Sequence, residues 1–110
     1  MEIIKKDTFF LITSKESSFE TFFNEFEKKH TELKENHVVI QISSENNFDE
    51  ENILVFLKYA DLQQQNNKSF IVVCNDVNVD NFPESFNIVP TIVEAKDVIE
   101  MEDIQRDLGF

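Results

Sequence analysis

The stretch His37 to Asn75, HVVIQISSENNFDEENILVFLKYADLQQQNNKSFIVVCN, decides the fold. It opens on HVVIQIS, a β-branched run that reads as a strand. It closes on SFIVVCN, Ser69 to Asn75, which is almost uniformly apolar, the composition of a strand buried on both faces of a sheet. Between them Ile53, Leu54, Phe56, Leu57, Tyr59 or Ala60, and Leu62 form a broad helical face, and QQQNNKS ends that helix. Strand, helix, strand makes a βαβ unit, whose two strands are expected to run parallel.

The flanks extend the same alternation. TFFLIT, Thr8 to Thr13, reads as a strand, and EIIKK before it as a short edge strand. In SSFETFFNEFEKKHTELKEN, Phe19, Phe22, Phe23, Phe26 and Leu33 recur at steps of three and four with charge between them, predicting an amphipathic helix. Ser17 with Glu20 has the spacing of a capping box at its start. After SFIVVCN comes the turn-rich DVNVDNFPESFNI, with a helical turn expected at PESF. A last helix follows Pro90, with a second capping box at Thr91 and Glu94 and an expected apolar stripe of Ile92, Ala95, Val98, Ile99, Ile104 and Leu108. Gly109, the only glycine, is placed to cap it. The expected fold class is α/β, one domain over residues 1–110, with a mixed, mostly parallel sheet of four to five strands. Which side of the sheet the N-terminal edge strand joins is left open.

Composition bounds the function classes. The chain has 12 Phe, one Tyr and no Trp, so the expected core is dry, built of rings that need no hydrogen-bond partner. Net charge is −12, from 22 acidic and 10 basic residues. Such a surface repels phosphate backbones and anionic headgroups, so neither nucleic acid nor a membrane is an expected partner. No apolar run is long enough to span a bilayer, MEIIKKDTFF does not read as a secretory signal, and the expected compartment is the cytoplasm.

Catalytic groups are sparse. Cys74 lies in an apolar strand with no basic neighbour to activate it, and reads as a small buried hydrophobe. His30 and His37 have no metal-ligand spacing with each other or with Cys74, and read as surface or helix-end residues. The single glycine leaves no Gly-rich phosphate loop, and Asp76, Asp80 and Glu84 lack the glycine turn of a calcium loop. No metal, cofactor or catalytic residue is expected. Pro90 after a strand has the look of a thioredoxin-type turn, but the early strand FFLIT carries no Cys motif after it.

The segment that stands out is NNFDEEN, Asn46 to Asn52, with three consecutive carboxylates. Asn47 or Asp49 is placed to cap the helix, and Glu50 and Glu51 to complement its dipole. With this segment the chain resembles the STAS domain of the bacterial anti-sigma factor antagonists. In that family an apolar strand leads into a turn carrying an Ile-Asp-Ser-Ser-Gly-Leu type motif that opens a helix. Here VVIQIS is followed by Phe48-Asp49-Glu50-Glu51-Asn52-Ile53, NNKSFIVV takes the place of the next turn and strand, and VPTIVEAKDVIEMEDIQRDL is similar to the closing helix. The resemblance spans about residues 5 to 108 and rests on element order and apolar pattern. It implies helices lying mainly on one face of the sheet. It also implies a site, with Glu50 at the position of the phosphoacceptor serine, Glu51 in place of the next Ser and Asn52 in place of the Gly. A carboxylate does not hold a phosphoryl group as a stable regulatory mark, but it carries a fixed negative charge.

Three functions fit these residues. The first is a non-catalytic interaction module that binds a regulatory protein, an anti-sigma factor or kinase-like partner, through Asp49, Glu50, Glu51, Asn52, Asn75 and Asp76. The second is a small α/β ligand-binding domain or enzyme using Asp49, Glu50 and Asp76 at the carboxyl ends of the strands. The third is an assembly subunit associating through an apolar patch. The first, as a monomer or weak homodimer, is the expected function.

Overall fold

The computed structural model describes residues 1–16, 18–46 and 48–109. Along the chain run β1 (Glu2–Lys5), β2 (Phe9–Thr13), α1 (Phe19–Leu33), β3 (His37–Gln41), α2 (Glu50–Leu54), α3 (Leu57–Gln65), β4 (Phe70–Val73), β5 (Asn87–Val89) and α4 (Ile92–Asp107). The five strands form one sheet in sequence order, with β1 antiparallel to β2 and every other neighbouring pair parallel. The α/β class and the mixed, mostly parallel sheet are as the sequence predicts. The edge strand joins β2 on the outside, with Ile3 opposite Ile12, and its exposed Glu2 and Lys5 suit an edge that must not pair further.

Side-chain alternation divides the core into two layers. Ile12, Val38, Ile40, Phe70 and Val72 face α1, α2 and α3, whereas Phe9, Leu11, Val39, Ile71 and Val73 face Ala95 and Ile99 of α4. Three helices thus lie on one face and one on the other. The thicker layer is aromatic. Phe26 meets Phe56 edge-on with ring centroids 5.1 Å apart, and Tyr59 likewise at 5.1 Å. Phe48 from the acidic turn inserts against Phe19 at 5.3 Å. Edge-to-face contacts of this kind add about 0.5–1.5 kcal/mol beyond area burial. The eleven described Phe residues are all buried or half-buried, which agrees with the dry core expected from composition.

Several local features differ from the sequence reading. The single helix expected after the acidic turn is two, because Val55 and Phe56 donate to Asn52 and Ile53 in tight i to i−3 bonds. That tightening sets Ile53, Phe56 and Tyr59 over one another so that all three enter the core. The end of α3 is a Schellman motif. Lys68 N–H donates to Gln63 O at 2.9 Å, Asn67 N–H donates to Gln64 O at 3.0 Å, and Asn67 takes φ 62°, the left-handed position usually given to glycine. PESF forms a turn closed by Phe86 N–H on Pro83 O, while the short 3-10 helix lies earlier, at Val79–Asn81, where the Asn78 side chain caps it. The capping box expected at Ser17 and the alternative cap at Asn47 lie outside the described residues. The N-cap of α1 is Ser18, one residue later than the sequence predicts. Thr91 caps α4 as expected, its Oγ1 accepting from Glu94 N–H while the Glu94 carboxylate accepts from the Thr91 hydroxyl, and Gly109 closes α4 at φ 82° as expected.

The stripe expected on α4 is corrected in its second half. Ala95 and Ile99 are buried, but Ile104 is 57% and Leu108 66% exposed. Glu102, Asp103 and Arg106 turn toward the sheet there instead, and at about 100° per residue the two aliphatics are carried to the outer side.

Truncating Phe26 to Ala should cost about 3–5 kcal/mol, since the ring is fully buried among five others. Leu54→Ala, on the outer side of α2, should cost about 0.5 kcal/mol or less. Urea unfolding monitored by circular dichroism checks both, and equal losses would contradict the aromatic layer as the main core.

Candidate functional site

At the carboxyl ends of β3 and β4 the chain makes two turns, and all six residues picked from the sequence lie there. The first is held from below. Asn46 is buried, its Oδ1 accepts from Ser43 N–H at 3.0 Å, and its Nδ2 donates to Ser14 O at 3.1 Å and Glu16 O at 3.2 Å. It welds the turn after β3 to the one after β2. Asp49 then caps α2 reciprocally with Asn52. Asn52 N–H donates to Asp49 Oδ1 at 2.8 Å and Asp49 N–H donates to Asn52 Oδ1 at 3.1 Å. The capping box is closed by Asn in the place usually held by Glu or Gln.

Glu50 does more than complement a dipole. Its carboxylate accepts from Asn78 N–H at 3.0 Å and from Asn81 Nδ2 at 2.8 Å. It therefore clasps the loop after β4 to the start of α2, joining the two turns into one surface. Glu51, Asn75 and Asp76 are exposed and make no side-chain hydrogen bond or ion pair among the described residues. The six thus fall into two groups. Asp49, Asn52 and Glu50 build the rim, while Glu51, Asn75 and Asp76 project from it. Cys74, just beneath, is buried, and burial pushes its thiol up, so it is a poor nucleophile.

The opposite end of the sheet holds a second polar constellation, which the sequence reading missed. His37 opens β3 and is buried, correcting its reading as a surface or helix-end residue. Its Nδ1 accepts from Ser69 N–H at 2.8 Å, which places the ring proton on Nε2, 3.2 Å from Asp103 Oδ1. The buried Ser69 hydroxyl donates to Glu102 and accepts from Arg106 Nη2 at 3.0 Å. Arg106 also donates to Asp103 Oδ1 at 2.7 Å, and Asn87 Nδ2 to Glu102 Oε2 at 2.9 Å. A Ser, a His and an acid meet here, but not as a hydrolytic triad. The His nitrogen facing Ser69 is occupied by its backbone N–H, and the hydroxyl faces a carboxylate. The arrangement bolts the last turns of α4 across β3, β4 and β5. A signal was present, since Glu102, Asp103 and Arg106 share a helix face, but only the β3–β4 register places His37 beside Ser69.

An open cleft of about 270 Å³ lies beside this bolt, lined by Gln64, Asn67, Lys68, Asn87, Glu102 and Arg106 among others. Its Arg106 and Glu102 are engaged with one another and with Ser69 and Asn87, which leaves Lys68 as the uncommitted charge of its lining.

Burial pushes the His37 imidazole below its ordinary value, and Asp103 opposes this without cancelling it. The unfolded chain thus binds more protons than the folded one as pH falls below about 6.5, so stability is complete above that range and declines through it. His30, packed against Tyr59, is lowered by burial too. Urea titrations at about pH 7.5 and 5.5 should therefore show a larger acid loss in wild type than in His37→Gln. Equal losses would place the whole effect elsewhere.

No protein-family model matches the chain, and no curated protein matches it.

Proposed function

We propose that the chain is a non-catalytic protein-interaction module resembling the anti-sigma factor antagonists. It binds a regulatory partner, an anti-sigma factor or a kinase-like protein, in the cytoplasm and as a monomer or weak homodimer. The observation that carries this reading is the rim at the carboxyl ends of β3 and β4, where Glu51, Asn75 and Asp76 project from a base fixed by the Asp49–Asn52 cap and the Glu50 clasp. A base already fixed by hydrogen bonds leaves side chains rather than backbone to be ordered on docking, which favours a recognition surface. Their negative charge favours a basic or mixed-charge partner. Glu50, at the position matching the phosphoacceptor, supplies a permanent charge that is engaged within the fold.

Sheet topology weighs against the ligand-crevice alternative. Strand order follows sequence order from β1 to β5, so the sheet has no reversal point at which neighbouring crossovers part to open a crevice. No helix among the described residues is long and apolar enough to cross a membrane.

Affinity capture from the native cytoplasm with mass spectrometry tests this, comparing wild type with a Glu51→Lys, Asp76→Lys double substitution. Both residues are exposed, so the fold should be retained, whereas Glu50→Lys would also break the clasp. One partner held by wild type and reduced about tenfold or more by the double substitution is the expected result. Matching profiles from two folded proteins would remove the rim from the function.

A further inference from the structure

The outer face of α4 carries a row of uncovered aliphatic side chains. Val93 is 68% exposed, Met101 52%, Ile104 57% and Leu108 66%. At 3.6 residues per turn these four lie on one face, opposite Ala95 and Ile99, which pack on the sheet; the exposed Asp97 stands between Val93 and Met101, so the uninterrupted stretch is Met101, Ile104 and Leu108. In its last turns the helix thus turns polar groups to the sheet and Met101, Ile104 and Leu108 to the outside. The row is set among charges of one sign. Glu94, Asp97, Glu100 and Asp107 are exposed on the same helix, and Lys96 is its one exposed cation.

We propose that this face docks an amphipathic helix of a protein partner whose apolar positions, spaced i, i+3, i+4 and i+7, are flanked by Lys and Arg. The spacing of Met101, Ile104 and Leu108 matches a helix-on-helix seam, and the acidic flanks supply the complementary rim. A second copy of this chain is a poor occupant, because pairing two such faces would bring their carboxylates together in a molecule of net charge −12. An anionic lipid surface is disfavoured by the same charges. The proposal goes beyond the acidic rim after β3 and β4. It concerns the outer side of the last turns of α4, where Glu102 and Arg106 reach Ser69 at the amino end of β4, the opposite end of the sheet from the rim.

The probe is a fluorescein-labelled synthetic peptide with Leu at i, i+3, i+4 and i+7 and Lys between, read by anisotropy against the whole chain. A peptide of equal composition, scrambled so that no apolar face forms, is the control. Wild type should bind the ordered peptide about tenfold or more tightly than the scrambled one. The Met101→Ser, Ile104→Ser double substitution, at exposed positions, should lose that preference. Glu100→Lys with Asp107→Lys should weaken binding and flatten its salt dependence. The Glu51→Lys, Asp76→Lys protein should bind like wild type, which separates this surface from the rim. No binding, equal binding of the two peptides, or undiminished binding by a folded Met101→Ser, Ile104→Ser protein would overturn the proposal. So would a dimer, seen in sedimentation, that this same double substitution dissolves, since a second copy would then be the occupant.

Discussion

The pairing of β3 with β4 is the constraint on which the rest of the structure depends. Val38, Val39, Ile40, Ile71 and Val72 are fully buried, and they sit in register across this one ladder. A parallel pair so apolar cannot leave either face to water. Both faces must be covered, and the chain covers them unequally. On one side, the α1 phenylalanines interlock with Phe48, Phe56, Tyr59 and Phe70. On the other, α4 lays down little more than Ala95 and Ile99 with the half-buried Ile92 and Val98.

With both faces of the central strands closed, polar groups collect at the two ends of the sheet, and the ends differ in character. At the carboxyl ends, backbone donors from turns and caps are met by Asp49 and Glu50, leaving Glu51, Asn75 and Asp76 in solvent. At the amino ends, His37, Ser69 and Asn87 are matched by Glu102, Asp103 and Arg106, and the cluster is nearly self-sufficient. Half-buried and partnered charges hold α4 in place, which a thin apolar contact alone would do weakly. Exposed and unpartnered charges are available to another molecule. That contrast is why the functional reading rests on the first end and the stabilising role on the second.

The helix that needs this polar bolt is also the one with aliphatic side chains to spare. Had Ile104 and Leu108 faced the sheet, α4 would be an ordinary amphipathic cover. Instead the sheet-facing positions in its last turns are Glu102 and Arg106, and the apolar row looks outward. On the function proposed above, the polar rim and the acid-flanked apolar end of α4 would be two chemically distinct contact surfaces on a single small core.

By itself the sequence determined the α/β class, the elements with strong periodicity, the dry Phe core, the buried Cys74, the caps at Thr91 and Gly109, and, with Asn47 as its alternative, the cap at Asp49. These follow from local chemistry: a period of two or of 3.6, a side chain that reaches its own backbone, a residue that tolerates positive φ. It also located the acidic turn. Only tertiary structure decided that β1 joins outside β2, that β5 exists as a three-residue strand, and that Glu50 reaches across to Asn78 and Asn81. It likewise decided that His37 is buried and that the end of α4 faces outward. Those outcomes depend on partners far apart along the chain, His37 with Ser69 and Asp103, Glu50 with Asn81, and no local pattern encodes which distant groups the sheet will bring within hydrogen-bonding reach.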